Sequence, residues 1–404
     1  MCALSIVPLL LHKMALLAKT GGFAAAMLCM IPMVLGSCTT ETWGRSRTTL
    51  YTMALEGARE TAVGRTPERE SLLAEMDRRR EEGAAESRWV IEKLFPDSGK
   101  LVSEDPEAAR AAEAGELKAA SAAWWGYDAE DATDALSEAL TAPVELLVIP
   151  AMAGPWISGP LEIAGPRHII FEPGAELLAK AGEFLPTGDT LLTLYRAADV
   201  TLTGYGARIA MRKSDYISEP YQWSQHRHAL SLLESRNISV QGFLIESSGG
   251  DGIYIGQSRG GEIPRNILLK DLHLIDNYRQ GVSVISVDGF RMEYTYIAET
   301  EGTPPGAAID FEPNSRLYGL TDCVVVGCLF EKNAGAGLTV HLPNVLETHP
   351  PVSILVQDTL ILGNPYSVWI RGLDNGVRGS LEFRNTRVKG VGTIERSDTF
   401  MVLN

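Results

Sequence analysis

The stretch SGGDGIYIGQSRGGEIPRNILLKDLHLIDNYRQGVSVIS, residues 248–286, holds the same short pattern twice. A glycine opens an apolar–outward–apolar run at Gly252-Ile253-Tyr254-Ile255 and again at Gly281-Val282-Ser283-Val284. Between them lies a second kind of run, NILLKDLHLI from Asn266. Moving outward, the first pattern recurs at Ala229-Leu230-Ser231-Leu232, Ala308-Ile309-Asp310-Phe311, Gly337-Leu338-Thr339-Val340 and Ser367-Val368-Trp369-Ile370, with successive starts 23, 29, 27, 29 and 30 residues apart. The second recurs as NISVQGFLI from Asn237, FRMEYTYI from Phe290, SILVQDTLIL from Ser353 and SLEFRNTRV from Ser380.

A period of about 20–30 residues holding several short strands is the mark of a solenoid. No helical pattern of roughly 10–15 residues intervenes, which excludes βαβ units and helical repeats. The spacing fits an all-β, right-handed parallel β-helix whose coils stack about 4.8 Å apart. A β-propeller with four-stranded blades of ~40–45 residues is the alternative, and it fits the spacing poorly. Asn277, Asn333 and Asn364 follow the second series, where a left-handed bend would favour Asn. DATDALSEAL, residues 131–140, reads as a short amphipathic helix placed to cover the open end of the stack.

WWGYDAEDATDALSEAL (residues 124–140), followed by a strand and then IIFEPGAELLAK (residues 169–180), resembles the entry module of the pectate-lyase-like superfamily of right-handed parallel β-helix proteins. HRHALSLL, SGGDGIYIG, NYRQGVSVIS and GAAIDFEPN extend the resemblance to an uncharacterised bacterial branch, over residues 122–404. The resemblance implies the fold. It does not imply one reaction, because the superfamily holds polysaccharide lyases, glycoside hydrolases, epimerases and inert phage or adhesion modules. The adjacent aspartates of polygalacturonases and the Arg-x-Pro-x-x-Arg signature of calcium-dependent pectate lyases are both missing.

The chain has 404 residues, 45% of them apolar, with 36 basic against 51 acidic side chains, a formal charge of −15. Residues 1–37 read as an export leader ahead of the fold. Lys13 and Lys19 precede GGFAAAMLCMIPMVLG, an apolar run of 16 residues. A membrane-spanning helix needs about 20. The run leads into Leu35-Gly36-Ser37-Cys38, which resembles the bacterial lipobox. Lipidation of Cys38 would place the mature protein in the bacterial cell envelope, anchored to a membrane from the periplasmic side or outside. A plain signal peptide is the alternative, and Met14 is an alternative start. Without the leader's two lysines, 34 basic side chains face 51 acidic ones, a balance of −17 that argues against nucleic-acid binding.

Residues 38–123 read as a helical spacer or accessory segment, and residues 124–404 as the β-helix domain. Thr66-Pro67-Glu68 is a helix start, and Arg78-Arg79-Arg80-Glu81-Glu82 reads as a solvated helix face. Cys323 and Cys328, five apart, read as core thiols on opposite faces of a strand. A monomer is expected.

Strand side chains alternate, so the residue between two apolar ones faces out. The outward row is then Ser231, Tyr254, Ser283, Asp310, Thr339 and Trp369. Two residues on comes a row ending in Glu312, His341 and Arg371, and just before the strands come His228, Asp251, Gln280 and Tyr366, with Arg227 and Arg279 beside them. The stripe covers about 25–30 Å on one face, and its mixture of acids, imidazoles, guanidiniums and aromatics suits a polysaccharide groove. Asp310 and Glu312 are the leading acid–base pair, with Asp251 and His228 as further catalytic candidates. Tyr254, Arg227, Arg279, Gln280, His341, Trp369 and Arg371 are the substrate-binding candidates. The alternatives are a lyase, in which Tyr254, His228 or His341 removes a proton beside a uronate while Arg279, Arg227 or Ca²⁺ neutralises its carboxylate, and a glycan-binding β-helix without catalysis. No cofactor is firmly implied.

Overall fold

The structure, a computed structural model, describes residues 66–165, 167–315, 318–395 and 397–404, together with the backbone of Tyr51–Ala54. The leader and Cys38 lie outside the described residues, as does Arg316.

The described chain winds into a parallel β-helix. Each full coil contributes three strands: Arg236–Gln241, Leu244–Glu246 and Ile253–Gly256 form one, and Arg265–Lys270, His273–Ile275 and Val282–Val284 form the next. The first strand of every coil joins an 11-stranded parallel sheet running from Ala119–Ser121 to Phe400–Leu403. The second and third strands stack on their counterparts in a sheet that bends between them. Coil stacking brings like onto like. Ile238, Ile267, Phe290, Cys323, Ile354 and Leu381 follow one another in register and are all buried.

Cys323 is therefore one rung of an aliphatic stack, and Cys328 is buried as well, after a corner at Gly327 whose φ of 64° suits glycine. The corner redirects the chain, so both thiols reach the core rather than opposite faces. The Asn series also differs from expectation. The left-handed residue is the one before each asparagine: Asp276, Lys332 and Gly363 have φ values of 56°, 57° and 63°. The asparagines instead satisfy backbone between coils: Asn364 Oδ1 accepts from the Asn333 N–H at 3.0 Å, and Asn333 Oδ1 accepts from Thr300 N–H at 3.2 Å. A short side chain carrying both donor and acceptor suits a tight corner whose amides would otherwise be orphaned.

Among the described residues, four helices precede or close the stack: α1 (Pro67–Leu94), α2 (Ser98–Val102), α3 (Pro106–Glu113) and α4 (Thr133–Thr141). Helix α4 buries Leu136, Ala139 and Leu140 in the same core as the first coils. Helix α1 begins where Thr66 Oγ1 accepts from Arg69 N–H, with Pro67 in its first turn. At 28 residues it is about 42 Å long, enough to pass roughly nine coils.

That helix lies against the solenoid and runs opposite to coil order. Glu68 pairs with Arg387, Arg69 grips Glu331 at 2.5 and 2.7 Å, Met76 packs with Leu329 and Leu360, and Ile91 packs with Val148 and Ile170. Arg79 reaches Asp271 at 2.6 Å and Arg80 donates to the Asp271 carbonyl at 2.8 Å. Arg79 and Arg80 are thus docked, and of the expected solvated arginine run only Arg78 keeps to the outer face, paired with Glu75 and Glu82. The reason is helical spacing: residues 69, 76, 79, 80, 83, 87 and 91 share one stripe. Gly83 completes it, since a Cβ there would fall 2.5 Å from the Tyr205 ring.

Candidate active site

The third strands carry the stripe. Ser231, Tyr254, Ser283, Asp310, Thr339 and Trp369 are aligned by strand pairing, coil upon coil, and His341 pairs with Arg371 in the row beside them. The apolar neighbours of Asp310, Ile309 and Phe311, are buried in the core on the other side of the same strand. Glu312 extends the ladder by donating its N–H to Val284 O. Alternation thus gathers residues separated by up to about 140 positions onto one face.

The stripe is not uniformly open to water. Asp251, Gln280 and Asp310 are at most 1% exposed, and His228 and Arg279 are also buried. Glu312 and His341 keep about a fifth of their side chains accessible. Trp369 and Arg371 are half-buried, and Tyr366 is exposed. An open groove was expected along the whole stripe. It is closed over the first coils because large side chains lie on one another: the His228 ring stacks on Tyr254 at 4.7 Å. Tyr318, from the loop after Glu312, is buried, with its hydroxyl donating to Gln257 O at 3.4 Å. Tyr318 and Gln257 escape a reading by alternation because they sit on connections, not strands.

Arg279 is the hinge of the charge arrangement. Its Nη1 lies 3.7 Å from Asp251 Oδ2, and its Nη2 donates to Glu312 Oε2 at 3.3 Å. Glu312 Oε1 meets His341 Nδ1 at 2.9 Å. Burial works to raise the Glu312 pKa, but the bond from His341 and the Arg279 charge together hold it below the usual carboxylate value. Asp310 goes the other way. Burial, reinforced by the negative charge of Glu312, pushes its pKa well above the ordinary value, and Arg279 only partly offsets this. Gln280 fixes the orientation of Asp310. Its Oε1 accepts from Ala307 N–H at 2.8 Å, so its Nε2 donates to Asp310 Oδ2 at 2.7 Å. A proton held by Asp310 would therefore sit on Oδ1, which has no hydrogen-bond partner among the described residues.

Asp251 is pushed up to about 6, first by burial, with Arg279 opposing. Its carboxylate faces the Ser283 hydroxyl and the Gln280 N–H of the next coil, both of which favour the ionised form. His228 accepts from Asp251 N–H at Nδ1, 2.9 Å away, and burial with nearby Arg279 drives its pKa well below the usual histidine value. The ring is therefore neutral, its proton is on Nε2, and its 3.3 Å approach to Asp251 is no ion pair.

Two expected sugar-binding residues are placed otherwise. Arg227 is wholly buried; it donates to the carbonyls of Phe184, Leu185 and Gln222 and ties two loops together, away from the stripe. A long guanidinium with several donors is the side chain that satisfies converging loop carbonyls. Gln280 is committed at both ends. The structure brings together His228, Asp251, Tyr254, Arg279, Gln280, Asp310, Glu312 and His341, with Trp369 and Arg371 at the open end, where the guanidinium lies 4.7 Å above the Trp369 ring. Among the described residues, no group of three or more His, Cys, Asp or Glu is arranged to hold a metal ion.

No family model matches the chain, and a search of curated proteins gives no match. Among solved structures, it is similar to the Dettilon tailspike protein (TM-score 0.47, 10% identity, 66% of this chain and 50% of that one). It is also similar to an iota-carrageenase complexed to iota-carrageenan fragments (0.45, 12%, 63% and 56%) and to a polygalacturonase from Erwinia carotovora (0.36, 10%, 71% and 96%). The chain thus spans about half the length of the tailspike and of the carrageenase. The fold stands on its own strand register; the site stands on its own geometry.

Proposed function

We propose that this face hydrolyses a glycosidic bond of a polysaccharide. The observation that carries the reading is the Asp310–Glu312 pair: two carboxyls, two residues apart on one strand, pushed to opposite protonation preferences. Such divergence is how paired acids divide the work of acid and base. Asp310 supplies the proton on Oδ1 to the leaving oxygen, once the sugar parts Arg279 from Glu312. Glu312, ionised at the accessible edge, takes a proton from the attacking water or itself attacks the anomeric carbon. Trp369 and Tyr366, with ring centroids 5.4 Å apart, offer a stacking surface for a neighbouring sugar.

Proton abstraction beside a uronate finds weaker support. Burial pushes Tyr254 up to about 12, and the ring nitrogens that His228 and His341 turn inward are committed to Asp251 N–H and Glu312. Incubating the mature chain with a polysaccharide panel separates the readings: new reducing ends without unsaturated-uronate absorbance are expected. Absorbance rising with the reducing ends would make it a lyase, and binding without either would make it a glycan-binding module. The leader motif adds export and a lipid anchor at Cys38 to the proposal. Cys38→Ser is expected to release the protein from membranes, and retention there would place the anchor elsewhere.

A further inference from the structure

Besides the pair assigned above, the stripe holds a row of buried polar atoms with few partners among the described residues. Asp310 Oδ1 and Thr339 Oγ1 are buried and without hydrogen-bond partners among the described residues, and the buried Asp251 carboxylate faces the Ser283 hydroxyl. Ser283, Asp310 and Thr339 are consecutive rungs, about 4.8 Å apart, and the Ser283 hydroxyl stands close enough to Asp251 to bias its charge. Buried polar groups rarely stay orphaned, and a run of them along a strand face is where ordered water is held.

We propose that Asp251, the Ser283 hydroxyl and buried water form a proton relay that returns a proton to Asp310 from behind. The step balances. Asp251 gives its proton to Ser283 Oγ while the Ser283 hydroxyl proton passes through water to Asp310 Oδ1, and Asp251 is reprotonated from solvent. No bond to carbon is made or broken, and no oxidant or reductant is needed. Asp251 is thus a relay residue that acts through Asp310, and not the base that activates water. The charged and titratable groups facing it are Arg279, Glu312, His228 and Tyr254; those facing Asp310 are Glu312, Arg279, Asp251 and Arg371. Both acids hold their protons more tightly than an exposed aspartate does.

The relay rests on the reading of Asp310 as an acid, but its test does not use catalysis. Infrared spectroscopy follows the carboxyl C=O band of protonated Asp310, identified by its loss in Asp310→Asn, as the protein is moved into D₂O. Exchange is expected to slow at least tenfold in both Asp251→Asn and Ser283→Ala, each checked for native circular dichroism. An unchanged rate in either variant would overturn the relay, whatever the sugar assay returns. Absence of polysaccharide cleavage with slowed exchange would remove the hydrolase and leave the relay.

Discussion

Two of the places where the solenoid buries carboxylates treat them oppositely. Under helix α1, Glu331 is fully buried yet receives two bonds from Arg69 and one from the Tyr296 hydroxyl, and its pKa stays low. Asp271, in the same seam, is met by Arg79 and by the Tyr205 hydroxyl at 2.7 Å. On the third-strand face, Asp251 and Asp310 are as deeply buried, but among the described residues neither has a guanidinium within hydrogen-bond distance, and both pKa values rise. A buried charge that is paired and hydrogen-bonded holds structure together, whereas one left uncompensated keeps its proton. The first arrangement suits a seam and the second suits acid–base chemistry.

That contrast yields its largest effect in activity. Asp310→Asn and Glu312→Gln are each expected to lower polysaccharide cleavage by about 10²- to 10⁴-fold, the usual worth of a positioned acid or base. Full activity in both, measured by reducing-end release, would leave the stripe no more catalytic than the seam. Next comes the seam itself. Arg69→Met strands Glu331 in the interior and is expected to cost about 3–5 kcal/mol in urea denaturation. A loss below about 1 kcal/mol would show that α1 is only loosely held.

Stability should also answer to pH differently in the two regions. Asp251 binds its proton more tightly when folded, so between its ordinary pKa and about 6 the folded state holds more protons and stability falls as pH rises. Asp251→Asn should flatten that slope and raise the midpoint of unfolding at pH 7. Glu331 and Glu312, held low, lose their stabilisation as pH drops below the usual carboxylate range. The smallest effect belongs to the corner ladder. Asn333→Ala orphans the Thr300 amide and is expected to cost about 1–3 kcal/mol.

Much of this was legible before the structure. Alternation in the third strands places Tyr254, Asp310 and Trp369 in one row because a strand has a period of two, and stacking then aligns them. Other features lie beyond such a pattern. Arg227 sits beside His228 in sequence yet turns to loop carbonyls, because its direction is set by the 182–189 and 211–228 connections. Gln280 looked like a ligand-binding amide, but its partner Ala307 is a backbone N–H, which no side-chain pattern reveals. The docking of α1 was hidden because its contact stripe intersperses arginines and a glycine among its apolar residues. A heptad-like spacing of Arg69, Met76, Arg79, Arg80 and Gly83 was the available signal.

The division between a structural seam and a working stripe is tested most directly by measuring Asp310→Asn twice at pH 7, once by urea denaturation and once by release of reducing ends from the cleaved polymer. Removing an uncompensated buried acid should leave the unfolding midpoint unchanged or higher while cleavage collapses. A variant that keeps its activity and unfolds as readily as Arg69→Met would contradict the account, since Asp310 would then be a structural carboxylate of the same kind as Glu331.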